Sequence, residues 1–96
     1  MYARLLTFSI GPGRRDVATG MADEAFAMVK AMNGFVSATY LVIDEEAGEY
    51  GSITTWQSLA DADAAGEVLR PWMMEKVGDK LTAPPVIRNA EVYEPR

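Results

Sequence analysis

Bulky and small or polar positions alternate along residues 2–10, YARLLTFSI, with Tyr2, Leu6, Phe8 and Ile10 on one side and Ala3, Leu5, Thr7 and Ser9 on the other. A two-residue period of this kind predicts a strand with two half-apolar faces. Gly11-Pro12-Gly13 breaks the strand. Asp16 is then placed to cap a helix in which Val17, Met21, Ala25, Met28, Val29 and Met32 recur at helical spacing, until Asn33-Gly34 offers a left-handed stop. Gly20 weakens that helix without ending it. Residues 35–43, FVSATYLVI, are β-branched and aromatic and predict a second strand; the acidic DEEAGE turn joins it to a third, YGSITTW, residues 50–56. Ser58, with Asp61 three residues on, predicts a capped start for a second helix whose apolar stripe is Leu59, Ala62, Ala65 and Leu69. Pro71 predicts a kink or a restart, with a further segment through Leu81. Ala83-Pro84-Pro85 closes it, and VIRNAEVYE, residues 86–94, predicts the last strand.

The order βαββαβ, with right-handed crossovers, predicts an α+β, ferredoxin-like chain with a four-stranded antiparallel sheet in the order 4-1-3-2. Two helices cover only one face of that sheet. The other face would carry Ala3 and Leu5 with either Val86, Ala90 and Val92 or Ile87 and Tyr93, which is too apolar to be left in water. A second copy packed sheet to sheet is the expected cover, giving a homodimer.

Length and composition narrow the rest. Ninety-six residues, 49% apolar and 24% charged, predict one domain spanning 1–96 with a thin core. Nine Lys and Arg against fourteen Asp and Glu give a net charge of −5 with no basic cluster, so neither nucleic acid nor an anionic membrane is an expected partner. The chain has no Cys and no His, which excludes thiolate chemistry, Ser-His triads and His-bound haem, and leaves no expected cofactor or metal. The acidic residues Asp44, Glu45, Glu46 and Glu49 lack EF-hand spacing and read as a solvated hairpin turn, and GPGRR lacks P-loop spacing. No run approaches the roughly 20 apolar residues of a membrane span, and the apolar run at the N-terminus precedes its charges, so a soluble, cytoplasmic protein is expected.

The opening MYARLLTF strand, the helix ending in NGF, the strand-turn-strand closing in TTWQS and the acidic, Ala-rich helix after it together resemble the dimeric α/β-barrel superfamily, in particular antibiotic biosynthesis monooxygenase-like (ABM) domains. The resemblance runs over nearly the whole chain. It implies sheets paired face to face across a two-fold axis and a mostly apolar pocket between sheet and helices. The haem-degrading branch carries an Asn on the first strand and a Trp and a His on the second helix; Leu6 and Ala65 stand at the first two positions here and His is missing, so haem degradation is not implied. The cofactor-free branch that oxidises anthrone-like polyketides carries a Trp near the end of the third strand, an Asn before it and an Arg further on. Trp56 matches that Trp, Ser52 stands at the Asn position, and Arg88 or Lys76 is the available cation.

The expected function is therefore cofactor-independent monooxygenation of a phenolic, quinol or polyketide-like small molecule, with a non-catalytic small-molecule-binding or regulatory role as the alternative. Trp56, Ser52 and Arg88 are the candidate catalytic residues. Arg4, Leu6, Phe8, Trp72 and Met73 are the candidate substrate contacts, because two Trp faces and soft thioethers suit an aromatic ring. Arg4 and Arg88 sit on neighbouring strands and are expected to approach each other and to need a counter-ion, from an anionic ligand, from Glu91 or from the other subunit. Tyr40 and Tyr50 offer phenols that either orient a substrate oxygen or form an interface or hairpin pair.

Overall fold

A computed structural model describes all 96 residues. Strand β1 (Tyr2–Ser9), helix α1 (Arg15–Val29), β2 (Phe35–Asp44), β3 (Glu49–Trp56), α2 (Leu59–Val77) and β4 (Val86–Glu91) follow in that order. The strands form one antiparallel sheet in the order β2-β3-β1-β4, the expected ferredoxin-like arrangement read from the opposite edge. The edge pairing runs on past β4, where the Val92 amide donates to the Met1 carbonyl at 2.9 Å.

Both helix starts follow local chemistry, though only one follows it as expected. Ser58 caps α2: its hydroxyl accepts from the Asp61 amide at 3.1 Å and donates to the Asp61 carboxylate at 2.9 Å. At α1 the cap position belongs to Arg14, with no side-chain bond, while Asp16 lies one position inside the first turn, where its charge meets the positive end of the helix. The far end of α1 also comes earlier than the spacing suggests. Ala31 and Met32 donate to carbonyls three residues back, tightening the chain beyond Val29 before Gly34 redirects it at φ +77°. A side chain at Gly34 would run into the Asp61 carboxylate, so the backbone angle and the space both require glycine.

The restart expected at Pro71 is absent. Helix α2 passes through Pro71 unbroken and ends at Val77, followed by Gly78, rather than at Leu81. Pro71 lies on the exposed side of the helix, where water can serve the carbonyl that its missing N–H leaves unpaired.

The core lies between the two helices and one sheet face, in two clusters. Phe8, Ile10, Met21, Tyr50, Met73 and Val77 are central to the first. Val29, Trp56, Ala62, Ala65 and Leu69 form the second. On the opposite sheet face nothing covers Leu5, Leu41, Ile53 and Val86, all of them exposed.

Candidate functional site

Strand pairing lays out the floor of the site in three rows. Arg4, Thr54 and Ala38 stand side by side on β1, β3 and β2; so do Leu6, Ser52 and Tyr40, and then Phe8, Tyr50 and Val42. Because side chains alternate along a strand, these rows point together towards the helices. Met21, Ala25 and Val29 of α1 and Leu69, Trp72 and Met73 of α2 roof them over, and a cavity of about 170 Å³ remains between. Most of its wall is apolar. Trp72 packs against both core clusters.

The polar groups on this wall are few, and two of them are unengaged. The hydroxyls of Tyr40 and Tyr50 are buried and have no hydrogen-bond partner. Leaving such a group unpaired costs about 1–3 kcal/mol. Tyr50 is fixed by a tilted contact with Phe8, 6.1 Å between ring centres. Burial pushes the Tyr40 phenol above its ordinary value. The sign of the consequence follows directly: with the folded value raised above an unfolded value of about 10, the Tyr40 contribution to stability is complete below about pH 10 and is lost as the pH rises through the folded value. Tyr40→Phe is expected to flatten the alkaline fall in melting temperature and to raise stability at neutral pH by up to about 1 kcal/mol. Thermal unfolding at neutral and alkaline pH checks both. An unchanged alkaline profile would show that another group titrates.

Arg4 is 95% shielded, with only 5% of its surface exposed. No carboxylate lies in salt-bridge range of it; the ion pairs of the chain are Arg15–Glu45, Lys76–Glu24 and Lys80–Asp79, all at the surface. Desolvation, and then the neighbouring charge of Arg70, lower the Arg4 pKa. Gly66 of α2 makes room for it: a Cβ there would come within 3.3 Å of the Arg4 Nε. Arg4 and Arg70 also border a second, polar cleft between α2 and β4, whose wall includes Asp63, Glu67 and Asn89.

Of the residues expected at the site, Arg4, Leu6, Phe8, Ser52, Trp72 and Met73 meet on the cavity wall. Trp56 and Arg88 do not. Trp56 is fully buried in the second core cluster, edge-on to Phe35 at 5.7 Å, with its indole N–H donated to the Thr54 hydroxyl at 2.9 Å. Arg88 is paired with Leu5, whereas Arg4 is paired with Asn89. Paired residues share a face, so the two arginines point to opposite sides of the sheet and the expected approach does not occur. Lys76 is engaged by Glu24 at 3.3 Å on the surface. Tyr40 and Tyr50, which the sequence left between two roles, both line the cavity. Arg70 was missed, since an exposed Arg before Pro71 carries no local sign of what faces it. Asp, Glu, His and Cys side chains do not gather in threes anywhere as a metal site would need. No helix is long and apolar enough to cross a membrane.

A βαββαβ chain with a cavity under its helices has the fold of the solved antibiotic biosynthesis monooxygenases. One structure of an antibiotic biosynthesis monooxygenase superposes with a TM-score of 0.75 at 13% identity, covering 98% of this chain and 100% of its own. The ActVA-Orf6 monooxygenase of Streptomyces coelicolor, solved in complex with nanaomycin D, gives a TM-score of 0.75 at 16% identity over 99% of this chain and 89% of its own. NE2512 of Nitrosomonas europaea, a protein of unknown function, reaches 0.83 at 17% identity over 99% and 91%. At these identities the likeness establishes the fold. No family model matches the sequence, and no curated protein does.

Proposed function

We propose that residues 1–96 form a single ABM-like domain that works in the cytoplasm as a homodimeric, cofactor-independent monooxygenase on a phenolic, quinol or polyketide-like small molecule. The observation that carries this reading is the apolar cavity lined by Tyr40 and Tyr50, two phenols whose buried hydroxyls have no partner within the protein. A planar ring system fits the Leu6, Phe8 and Trp72 walls, and the two hydroxyls donate to an oxygen on it. The fold likeness to named monooxygenases supports the reaction class.

The chemistry follows from what the wall contains. An activated methylene is converted by O2 to a carbonyl with release of one water, so carbon is oxidised by four electrons and both oxygen atoms are accounted for. The step needs an ionised, electron-rich substrate. The cavity wall offers no carboxylate, Lys or His to remove the proton. Ionisation therefore rests on the acidity of the substrate itself, with Tyr40 and Tyr50 donating to the resulting oxyanion and the Arg4 charge favouring it.

The test is oxygen uptake by metal-free protein with anthrone and ring-substituted anthrones of different acidity, each of which carries the methylene that the step oxidises. Uptake above the buffer rate is expected, with a pH–rate profile that moves with the pKa of the substrate chosen. A profile fixed at one pH for substrates of different acidity would require a protein base and would overturn the mechanism. The second reading, a non-catalytic binding or regulatory module, is favoured by one observation: the Trp56 N–H is committed to Thr54 inside the core. Tight binding of the same compounds without oxygen uptake would establish that reading instead.

A further inference from the structure

Arg4 is the one charged side chain carried deep into this fold without a carboxylate beside it, at 5% exposure. Its surroundings do not resolve the charge. Asp63 and Glu67 border the adjoining cleft, but Asp63 accepts from the Asn89 amide at 2.9 Å and neither forms an ion pair with Arg4 or Arg70. The Arg70 guanidinium adds a second positive charge. A second copy docked on the bare sheet face would not neutralise them either, because Arg4 alternates with Leu5 and points to the helix side. Arg4 and Arg70 both border the apolar cavity as well as the polar cleft, so they stand between the two.

We propose that the molecule bound in the cavity carries a carboxylate on its ring system, and that Arg4 with Arg70 is the subsite that holds it at this junction. The proposal rests on the reading of the cavity as a small-molecule site and names the class of molecule it selects. A planar carboxylate matches the fork of a guanidinium and bonds to it through two oxygens, which a neutral ring substituent cannot do. Gly66 leaves the Arg4 side chain the width it needs against α2, where a Cβ would press on Nε. The ring body then lies over Leu6 and Phe8, and the charged end reaches the polar cleft.

Titration calorimetry on the full chain with two probes of one shape, 2-naphthoate and 2-naphthamide, tests this. The carboxylate is expected to bind at least tenfold more tightly than the amide at low ionic strength. Arg4→Gln should abolish that preference, bringing the affinities for the two probes together. Arg70→Gln, a change on the exposed flank of α2, should reduce the preference severalfold and decides the matter if the Arg4 variant does not fold. Equal affinity of the wild-type chain for the two probes, or a preference that Arg70→Gln leaves intact, overturns the anion subsite while the cavity reading stands. Binding of neither probe overturns the cavity reading, and the subsite with it.

Discussion

Trp56→Ala is expected to cost about 3–5 kcal/mol of stability, the usual loss when a fully enclosed large aromatic is cut back to a methyl. A domain of this size has roughly 5–15 kcal/mol in total, so the change takes a large part of the margin that keeps it folded. The reason is specific to this side chain. Trp56 has no exposed surface, fills the space among Val29, Ala62, Ala65 and Leu69, and satisfies its only donor on Thr54. The small residues Ala62 and Ala65 are what let α2 approach the indole, and they have no side-chain length with which to close the hole its removal would leave. Trp72→Ala provides the contrast. Trp72 is only partly buried and faces the cavity, so its loss should weaken aromatic binding at least tenfold and lower the melting temperature less than Trp56→Ala does. Chemical denaturation and ligand titration on the two variants separate the roles. If Trp56→Ala left the unfolding midpoint unchanged and abolished oxygen uptake, the indole would belong to the reaction rather than to the core.

If the bare sheet face pairs two copies as proposed, the wild-type chain is expected to be a dimer at micromolar concentration and Ile53→Asp a folded monomer. Ile53 lies in the middle of the bare sheet face, in a row with Thr39, Leu5 and Arg88, and the next row carries Leu41, Gly51, Thr7 and Val86. Leu5 and Ile53 are 37% and 36% exposed at the centre of this face. An apolar sheet face left in water is an association surface, and a sheet that meets its own copy buries it on both subunits at about 25 cal/mol per Å² of apolar area. A carboxylate at the centre would have to give up its water among apolar side chains, which opposes docking. The same change should spare the fold, because Ile53 points away from both core clusters. Light scattering gives the mass and circular dichroism the fold. A wild-type protein that is monomeric at micromolar concentration, or an aspartate variant that stays dimeric, would remove the interface from the model of function.

How much of this was legible beforehand depended on the range of the interaction involved. Strand and helix identities were legible because each rests on a period of two or of about 3.6 within a few residues, and the Ser58 cap because donor and acceptor lie three residues apart. Element order, with the preference for right-handed crossovers, was enough for the sheet order as well. Helix ends were less legible: Gly34 marked the turn, but the tightening after Val29 and the uninterrupted passage through Pro71 depend on what the helix packs against and which side faces water.

The candidate site divides along the same line. Arg4, Leu6 and Phe8 could be placed together because they alternate on a single strand, and Trp72 with Met73 because they follow one another on the roofing helix. Arg88 could not be placed relative to Arg4, since a shift of one residue in the pairing of two strands reverses every side chain on one of them, and only the assembled sheet fixes that register. Nor could Trp56 be told from Trp72 by composition; packing committed one to the core and turned the other to the cavity. By itself the sequence determined the elements, their order and a sheet with one uncovered face, all consequences of short-range periodicity and of too few helices for two faces. Only the tertiary structure decided that a buried, uncompensated Arg4 meets Arg70 beside two free phenols, because that meeting joins three strands and a helix whose separation along the chain hides it.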